Sequence, residues 1–297
     1  MRVTQLPEVE PRAGRQVAIG TFDGVHLGHR EVIRGANTVL TFDPHPLSVI
    51  HPDATPKLIA TFPVKRDLIA ELGVEELVVI PFDRGFSEQS AEEFVQEVLI
   101  GRLGAERVQV GENFRFGHGA RGTADMLRSH GEFETRVVPL VDVAGETVSS
   151  SHIRGLIAAG DVKQAGEFLG RPFLFEGEVV TGDKRGRELG VPTANLVPDE
   201  AYVCPGHGVY AAWANDHPTA VNVGVRPTFD TGRGLLVEAH LIGFSGDLYG
   251  QTLRIAFLER MRGEKAFESV DELVEQMQAD LTEAERIAER LLRFPAR

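Results

Sequence analysis

The first half of the chain alternates short apolar runs with segments in which apolar positions recur at helical spacing. Four runs are typical of buried strands: QVAI (16–19), TVLTF (38–42), ELVVI (76–80) and RVQV (107–110). Three segments have the spacing of amphipathic helices: 63–72, 91–99 and 125–130. Strands that alternate with helices predict βαβ units and a parallel sheet, in which ligands bind at the carboxyl ends of the strands.

The second half changes to short strands that are separated by glycine and proline residues. The strand-like runs after Arg171 are EGEVVTGD, GVYAAWA, TAVNVG, LLVEAHLI and TLRIAFLE. This rhythm of short strands and turns predicts an antiparallel barrel or sandwich.

Helical segments flank the strand-rich half on both sides. Leu273, Met277 and Leu281 recur at helical spacing and predict an amphipathic helix at the C-terminus. Residues 151–170 predict one or two helices that join the two halves. We therefore expect two domains, with predicted bounds of 1–165 and 166–297.

Composition and charge narrow the classes of partner. The 297 residues carry a formal net charge of −13, which argues against nucleic-acid and membrane partners, because phosphate surfaces require a basic footprint. Cys204 is the only cysteine, so an intramolecular disulfide is impossible and a reducing cytoplasm is the expected location. The polar N-terminus lacks the apolar core of a signal peptide, and no apolar run approaches the roughly 20 residues of a membrane span.

The stretch GTFDGVHLGHR (20–30) follows the first predicted strand. Its glycines allow the backbone to turn and to approach a ligand closely. A helix that begins near His29 would attract phosphate through its free N–H groups, and the imidazoles of His26 and His29 can hydrogen-bond phosphate oxygens. The residues alone leave three alternatives open: a phosphate site, a turn with partly buried histidines, and a metal site, for which an isolated histidine pair is weak support.

The stretch GDKRGRELGVPTANL (182–196) places basic residues among glycines in an acidic chain. Such a loop is typical either of a phosphate cradle or of a solvated basic surface, and both interpretations stay open. Thr193 and Asn195 stand two residues apart, so an extended segment projects them to the same side. Their hydroxyl and carboxamide oxygens are hard ligands suited to magnesium that is held with ATP phosphates.

These motifs occur in an order that resembles one enzyme family. G-x-F-D-G-V-H-x-G-H is similar to the HxGH motif of nucleotidyltransferases, and it is followed by TFDPHP (41–46), GENFRFG (111–117) and VSSSHIR (148–154). G-x-P-T-A-N resembles the signature of riboflavin kinases, and it is followed by GVYA (208–211), VNVGVRPTF (221–229), VEAHLI (237–242), DLYG (247–250) and RGEKAF (262–267). Nearly the whole chain thus resembles the bacterial bifunctional riboflavin kinase/FAD synthetases.

The resemblance implies both a fold and an activity. The implied fold is an α/β nucleotidyltransferase domain with a Rossmann-like parallel sheet, followed by an antiparallel β-barrel riboflavin kinase domain with a C-terminal helix. The implied kinase phosphorylates riboflavin to FMN with ATP. The implied FAD synthetase adenylylates FMN to FAD with a second ATP and releases pyrophosphate. Riboflavin, FMN, FAD and ATP are therefore the implied partners, and Mg²⁺ is the implied cofactor.

For adenylyl transfer, the resemblance implies that His26 and His29 are catalytic and contact the ATP phosphates. A loop with Ser150, Ser151 and Arg154 is implied to close on the same phosphates, to which hydroxyl and guanidinium groups are good donors. Taken alone, this loop is more typical of a polar loop or a helix cap, and Asn113 is more typical of a turn. The implied ATP-binding residues are Gly20, Phe22, Asp23, Gly24, His26, His29, Asn113, Ser150, Ser151 and Arg154.

For the kinase, the resemblance implies that Glu238 is the base that takes the proton of the riboflavin 5′-hydroxyl as this hydroxyl attacks the γ-phosphate of ATP. Without the resemblance, Glu238 is an outward-facing charge on a strand. The implied ATP-binding residues are Gly182, Lys184, Gly190, Thr193 and Asn195, of which Thr193 and Asn195 also bind the metal. The implied flavin-binding residues are Asn222, Arg226, Arg262, Glu264 and Phe267.

Two other functions stay open from the sequence. REVIRGAN (30–37) leaves room for only a short helix after His29, so one alternative is an active riboflavin kinase with an impaired adenylyltransferase domain. The other alternative is a flavin-binding or regulatory protein that has lost catalysis. The joint presence of Glu238, Thr193 and Asn195 argues against that alternative, because a flavin carrier needs none of them. The sequence does not indicate an oligomeric state.

Overall fold

The structure is a computed structural model that describes residues 1–181, 191–228 and 232–292. For residues 225–228, 232–233 and 292 it describes the backbone alone. The predicted ATP-binding residues Gly182, Lys184 and Gly190 therefore lie outside the described residues, and so does the side chain of the predicted flavin-binding residue Arg226.

The chain forms two compact units. The first unit comprises Met1–Pro56 and Phe62–Ser150, and the second comprises Lys57–Thr61 and Ser151–Arg297. The short segment of the second unit that comes from the first half of the sequence is held by backbone hydrogen bonds, in which the Leu58 N–H donates to the Ala201 carbonyl at 2.8 Å and the Val203 N–H donates to the Leu58 carbonyl at 2.9 Å. The domain bounds 1–165 and 166–297 stay a prediction.

The first unit is built on a six-stranded sheet in the order β1-β4-β3-β2-β5-β8, in which every pairing is parallel. The sheet strands are β1 (Arg2–Gln5), β2 (Arg15–Ile19), β3 (Thr38–Asp43), β4 (Glu76–Pro81), β5 (Ala105–Gly111) and β8 (Glu134–Val138). Short antiparallel pairs are made by β6 (Arg115–Phe116) with β7 (Gly122–Thr123) and by β9 (Asp142–Val143) with β10 (Glu146–Thr147). The predicted parallel sheet is confirmed.

Helices connect the strands of this sheet. They are α1 (Leu27–Ile33), α2 (Pro46–Ile50), α3 (Phe62–Glu71), α4 (Arg84–Ser87), α5 (Ala91–Glu93) and α6 (Ala124–Ser129). The predicted helix over 91–99 begins as α5 with a Ser90–Glu93 capping box, but it continues as a π-helix over Phe94–Arg102. The wider π-helical turn has no counterpart in the spacing of apolar residues, so the sequence pattern did not predict it.

The crossover from β2 to β3 contains the short helix that raised the alternative of an impaired domain. Helix α1 has only 7 residues, yet β2 and β3 pair in parallel with Val17 opposite Thr38. The whole connection runs over residues 20–37, because the loop before α1 contributes as much chain as the helix. A connection of this length exceeds the dozen or so residues that a parallel crossover requires. The short segment 30–37 therefore does not indicate an impaired adenylyltransferase domain.

The second unit is a closed barrel in the order β11-β12-β15-β14-β13-β16, in which every described pairing is antiparallel. Its strands are β11 (Phe173–Val180), β12 (Ala194–Leu196), β13 (Gly208–Ala214), β14 (His217–Thr228), β15 (Gly232–Leu241) and β16 (Thr252–Arg262). Its helices are α7 (Ser150–Ala159), α8 (Val162–Leu169) and α9 (Val270–Leu292). The predicted barrel and C-terminal helix are confirmed.

Helix α9 packs against the outside of the barrel. Ala284, Ile287 and Ala288 of the helix are buried in one cluster with Ala211 and Leu258 of the barrel. In the part of the chain that the structure describes, no helix is both long enough and apolar enough to cross a bilayer.

Candidate functional site

The loop after β2 adopts the tight conformation that its glycines predicted. Phe22 and Val25 have φ values of 50° and 45°, and Gly24 has a φ of 80°, so the chain passes repeatedly through the left-handed region before α1 begins. A Cβ atom at Gly28 would lie 3.3 Å from the ring of His26. The glycine between the two histidines therefore leaves room for the His26 ring against the helix.

The two histidines form one stacked pair at the start of α1. Their ring centroids are 3.5 Å apart with an interplanar angle of 15°, and Phe22 contacts His29 edge-on at 5.4 Å. His26 is the N-cap of α1, since its Nδ1 accepts a hydrogen bond from the His29 N–H at 3.2 Å. The helix thus begins two residues before the predicted start, because a histidine ring can act as an N-cap.

The environment keeps His29 uncharged. Burial, together with the nearby imidazole of His26 and ammonium of Lys65, holds the pKa of His29 well below its ordinary value. The Nδ1 atom of His29 is buried and has no hydrogen-bond partner among the residues that the structure describes. A neutral imidazole has one N–H donor and one acceptor nitrogen, so His29 is suited to orient a ligand by hydrogen bonding.

The histidine pair lines a large cavity in the first unit, with a volume of about 900 Å³. Predicted ATP-binding residues that line it are Gly20, Phe22, His26, His29, Asn113 and Ser150. Asp23 and Gly24 lie in the loop behind these residues, where the Asp23 carbonyl accepts a hydrogen bond from the Ser150 hydroxyl at 3.1 Å. The structure therefore brings these residues together around one cavity.

Ser151 and Arg154, the other two predicted ATP-binding residues, belong to the second unit. Both lie on α7, where the Arg154 guanidinium donates a hydrogen bond to the Ser151 hydroxyl at 3.0 Å. Their contact with ATP stays a prediction.

Aromatic residues that the sequence pattern did not single out line the same cavity. They come from four separate segments and are Phe42, Phe82, Phe86, Phe94, Phe114 and Phe116. Phe114 and Phe116 are stacked with their centroids 5.6 Å apart. A wall of this kind suits a planar, largely apolar ring system. Phe42, Phe114 and Phe116 stood in motifs quoted above, whereas Phe82, Phe86 and Phe94 are ordinary core residues by sequence.

A row of polar residues crosses three adjacent strands of the barrel. Asn195 on β12 and Asn222 on β14 are each directly opposite Glu238 on β15. The Asn222 Nδ2 donates to a Glu238 carboxylate oxygen at 3.2 Å. Val237 and Ala239 are fully buried on the barrel interior, so Glu238 projects to the outer side of the sheet. Directly opposite residues share one face, which places the three polar side chains together.

This row borders a second cavity, with a volume of about 330 Å³, between the outer face of the barrel and α9. Thr193, Asn222 and Glu238 line it from one side, and the predicted flavin-binding residues Arg262, Glu264 and Phe267 also line it. The apolar residues Leu273, Met277 and Leu281 of α9 complete its wall. The side chains that the helical spacing predicted on one face therefore form part of a pocket.

The oxygen atoms near Glu238 are of the kind that a divalent cation prefers. Thr193 lines the cavity, and Asn195 is buried opposite Glu238 with its Nδ2 donating to the Thr193 carbonyl at 3.4 Å. A hydroxyl, a carboxamide oxygen and a carboxylate are hard ligands, and magnesium usually takes only a few such protein ligands beside phosphate oxygens. The donor set fits a cation that arrives with ATP.

Arg262 is held by an acidic residue that the sequence did not indicate. Its Nε and Nη2 donate to the two carboxylate oxygens of Asp280 on α9, at 3.0 and 2.7 Å, and Gln276 donates to the same carboxylate at 3.0 Å. The Arg262 guanidinium carbon lies 6.0 Å from the ring centre of Phe267. This bidentate pair fixes one wall of the cavity to the C-terminal helix.

Removing the charge of Asp280 is expected to destabilise the second unit. We expect Asp280→Asn to lower its free energy of unfolding by about 1–3 kcal/mol, since Arg262 loses its carboxylate partner in a mostly buried setting. Trp213, the only tryptophan, lies on β13, so its fluorescence during urea unfolding reports on this unit. Glu283→Gln is the matched control, because Glu283 pairs with Arg286 at the exposed surface of the same helix. Equal midpoints for the two variants would contradict the prediction.

Comparison with known proteins identifies the family. A family model described as FAD synthetase matches residues 9–152, and one described as riboflavin kinase matches residues 169–288. The bifunctional riboflavin kinase/FMN adenylyltransferase of Bacillus subtilis is 35% identical over 296 residues, covering 93% of each chain. The chain belongs to this bifunctional family. The Escherichia coli K12 relative of the same name is 34% identical over 288 residues and covers 91% of each chain.

A solved structure has the same fold over nearly the full length. It is a crystal structure of a Streptococcus pneumoniae protein described as a macrolide-efflux protein, 32% identical in sequence, with a TM-score of 0.85 over 96% of this chain and 99% of that one. The arrangement of a parallel-sheet unit followed by a barrel unit is therefore shared with an experimentally determined structure.

Proposed function

We propose that the chain phosphorylates riboflavin to FMN in its second unit and adenylylates FMN to FAD in its first. The observation that carries the proposal is that each unit has a cavity lined by polar groups of the kind that its reaction requires. The histidine pair lines the first cavity, and the Glu238 row borders the second. Membership of the bifunctional family, with both family models matched, supports the assignment of one reaction to each unit.

In the kinase reaction, the 5′-hydroxyl oxygen of riboflavin attacks the γ-phosphorus of ATP, and ADP leaves. Glu238 takes the proton of this hydroxyl, a role for which its carboxylate is held by the Asn222 amide. Phosphoryl transfer depends on positioning and charge stabilisation more than on covalent chemistry. We assign the flavin to the wall that Arg262 and Phe267 form beside α9.

In the adenylyl transfer, a phosphate oxygen of FMN attacks the α-phosphorus of ATP, and pyrophosphate leaves. His26 and His29 orient and hydrogen-bond the phosphate oxygens, with His29 in its neutral form. The aromatic wall of the same cavity receives the flavin ring, and Asn113 and Ser150 supply further polar contacts at the rim. No covalent intermediate is required, because fixed geometry and preorganised donors account for the acceleration.

Thr193 and Asn195 would hold a divalent cation, proposed to be Mg²⁺, together with the phosphates of ATP. When bound, such a cation supplies charge neutralisation at the β- and γ-phosphates. The other residues of the site bind the flavin, orient the attacking hydroxyl and accept its proton.

Separate incubations test the two assignments. With riboflavin, ATP and magnesium, we expect FMN, and with FMN, ATP and magnesium we expect FAD and pyrophosphate, each measured by chromatography. Chelation of magnesium should stop FMN formation. Formation of FMN in the first incubation without any FAD in the second would support the alternative of an impaired adenylyltransferase. Absence of both products would leave flavin binding as the remaining function.

A further inference from the structure

Lys65 of α3 is a half-buried cation that the proposed mechanism does not yet use. Its ammonium group lies 3.4 Å from each of three oxygen atoms: the Thr21 carbonyl, the Thr41 hydroxyl and the Phe42 carbonyl. The Thr41 hydroxyl in turn donates to the Thr21 carbonyl at 3.2 Å. Thr21 lies in the loop that carries the histidine pair, whereas Thr41 and Phe42 lie near the carboxyl end of β3. The ammonium group therefore bridges the loop to the strand.

This bridge lies directly behind the cavity of the first unit. Thr21 and Phe42 line the cavity, and Thr41 is completely buried. Lys65 itself does not line the cavity, so its side chain acts on a ligand through these residues and through its charge. A lysine that only covered apolar surface would keep its ammonium group in water, whereas this one directs it towards backbone carbonyls.

The charges around Lys65 show that it belongs to the electrostatics of the histidine pair. Asp43 and Asp23 attract the ammonium group, but burial outweighs them and lowers the pKa of Lys65. The same ammonium group contributes, after burial and His26, to the lowered pKa of His29. The positive charge thus influences the histidines, although Lys65 hydrogen-bonds Thr21, Thr41 and Phe42 and not the imidazoles themselves.

We propose that Lys65 is a positioning residue for adenylyl transfer: its ammonium group fixes the loop of His26 and His29 to the end of β3 and supplies positive charge behind the bound triphosphate. This inference rests on the proposed function of the first unit. A fixed cation in a site of low polarity stabilises the anionic oxygens of ATP more strongly than it would in water. Phe22, Gly24 and Val25 of this loop have positive φ values, and the Lys65 bridge adds to the hydrogen bond between the Ser150 hydroxyl and the Asp23 carbonyl in holding the loop.

The test compares Lys65→Met with Arg66→Met in the full chain. Met keeps the length of the side chain and removes the charge, and we expect kcat/KM for ATP in FAD formation to fall by about 100-fold, the scale found for loss of one preorganised donor. Arg66 is the next residue of α3 and pairs at the surface with Asp67, so its substitution should change the value by less than about twofold. FMN formation from riboflavin should be unchanged in both variants.

A second readout separates positioning by charge from mere packing. The pKa of His29, followed by NMR of its ring protons, should rise in Lys65→Met and stay unchanged in Arg66→Met, because the positive charge of Lys65 opposes protonation of the imidazole. FAD formation within about threefold of the unaltered chain would overturn the proposal. A large loss with an unchanged His29 pKa would also overturn it, since Lys65 would then have a packing role only.

A third variant decides the matter if Lys65→Met does not fold. Thr41→Val removes the hydroxyl that Lys65 contacts while keeping the shape of the side chain, and we expect kcat/KM for ATP to fall by about fivefold, in line with the loss of one neutral hydrogen bond. No change with this variant would then refute the bridge. If the unaltered chain makes no FAD from FMN and ATP, the proposed function fails instead, and this outcome is distinguished by the unaltered control in every assay.

Discussion

Replacing Glu238 by glutamine is expected to reduce ATP-dependent FMN formation by about 100- to 10,000-fold, the range that general acid–base catalysis usually contributes. Glutamine keeps the size of the side chain and can still contact Asn222, but it cannot accept the proton of the riboflavin hydroxyl. Glu238 lies opposite both Asn195 and Asn222 in one row. The substitution changes neither of these neighbours. The measurement is the initial rate of FMN appearance from riboflavin and ATP.

Two comparisons make the Glu238 experiment specific. Glu178→Gln is the matched control, because Glu178 is an exposed glutamate of β11 that does not line the cavity, and it should retain full activity. FAD formation from supplied FMN should be unaffected by Glu238→Gln. If Glu238→Gln makes FMN as fast as the unaltered chain, the assignment of the base is wrong.

The second large effect is expected in the first unit. His29→Ala should lower the rate of FAD formation from FMN and ATP by about 100- to 1,000-fold, because it removes one preorganised partner of the phosphate oxygens. It also removes half of the stacked histidine pair. Formation of FMN from riboflavin should stay within about twofold of the unaltered chain, since the kinase groups lie in the other unit.

His130→Ala is the matched control for His29→Ala. His130 lies in the same unit but pairs with Glu92 and Glu132, and it does not line the cavity. It should retain FAD formation. Loss of both FMN and FAD formation in His29→Ala would contradict the assignment of the two reactions to independent sites. Retention of FAD formation would show that His29 has no role in adenylyl transfer.

Most of the fold follows from the pattern of apolar residues, and the elements that were missed have a physical reason. The edge strand β1 has the sequence RVTQ, in which Val3 is 42% exposed, so there is no apolar run to detect. It pairs in parallel with β4, and its Arg2 side chain pairs with Glu76 of β4, which also pairs with Arg15 of β2. β8, the opposite edge, was missed for a similar reason, because Val138 is its only buried residue.

Some residues of the candidate sites can be recognised from local sequence motifs, and others only from the folded structure. The histidine pair, Glu238 and the Thr193–Asn195 segment stand in motifs whose spacing is local, so the sequence could single them out. Lys65 and Asp280 occupy ordinary positions of amphipathic helices, and only the packing of those helices places Lys65 against residues that line the first cavity and Asp280 in the wall of the second. The aromatic wall of the first cavity is likewise assembled from segments that are distant in sequence.

The most direct test of the account is a time course with riboflavin as the only flavin, together with ATP and magnesium. The account predicts that FMN appears first, with ADP, and that FAD follows with pyrophosphate as FMN accumulates. Addition of Glu238→Gln in place of the unaltered chain should stop both products at once, whereas His29→Ala should stop at FMN. A time course in which riboflavin remains unchanged, with the folded protein present, would contradict the account.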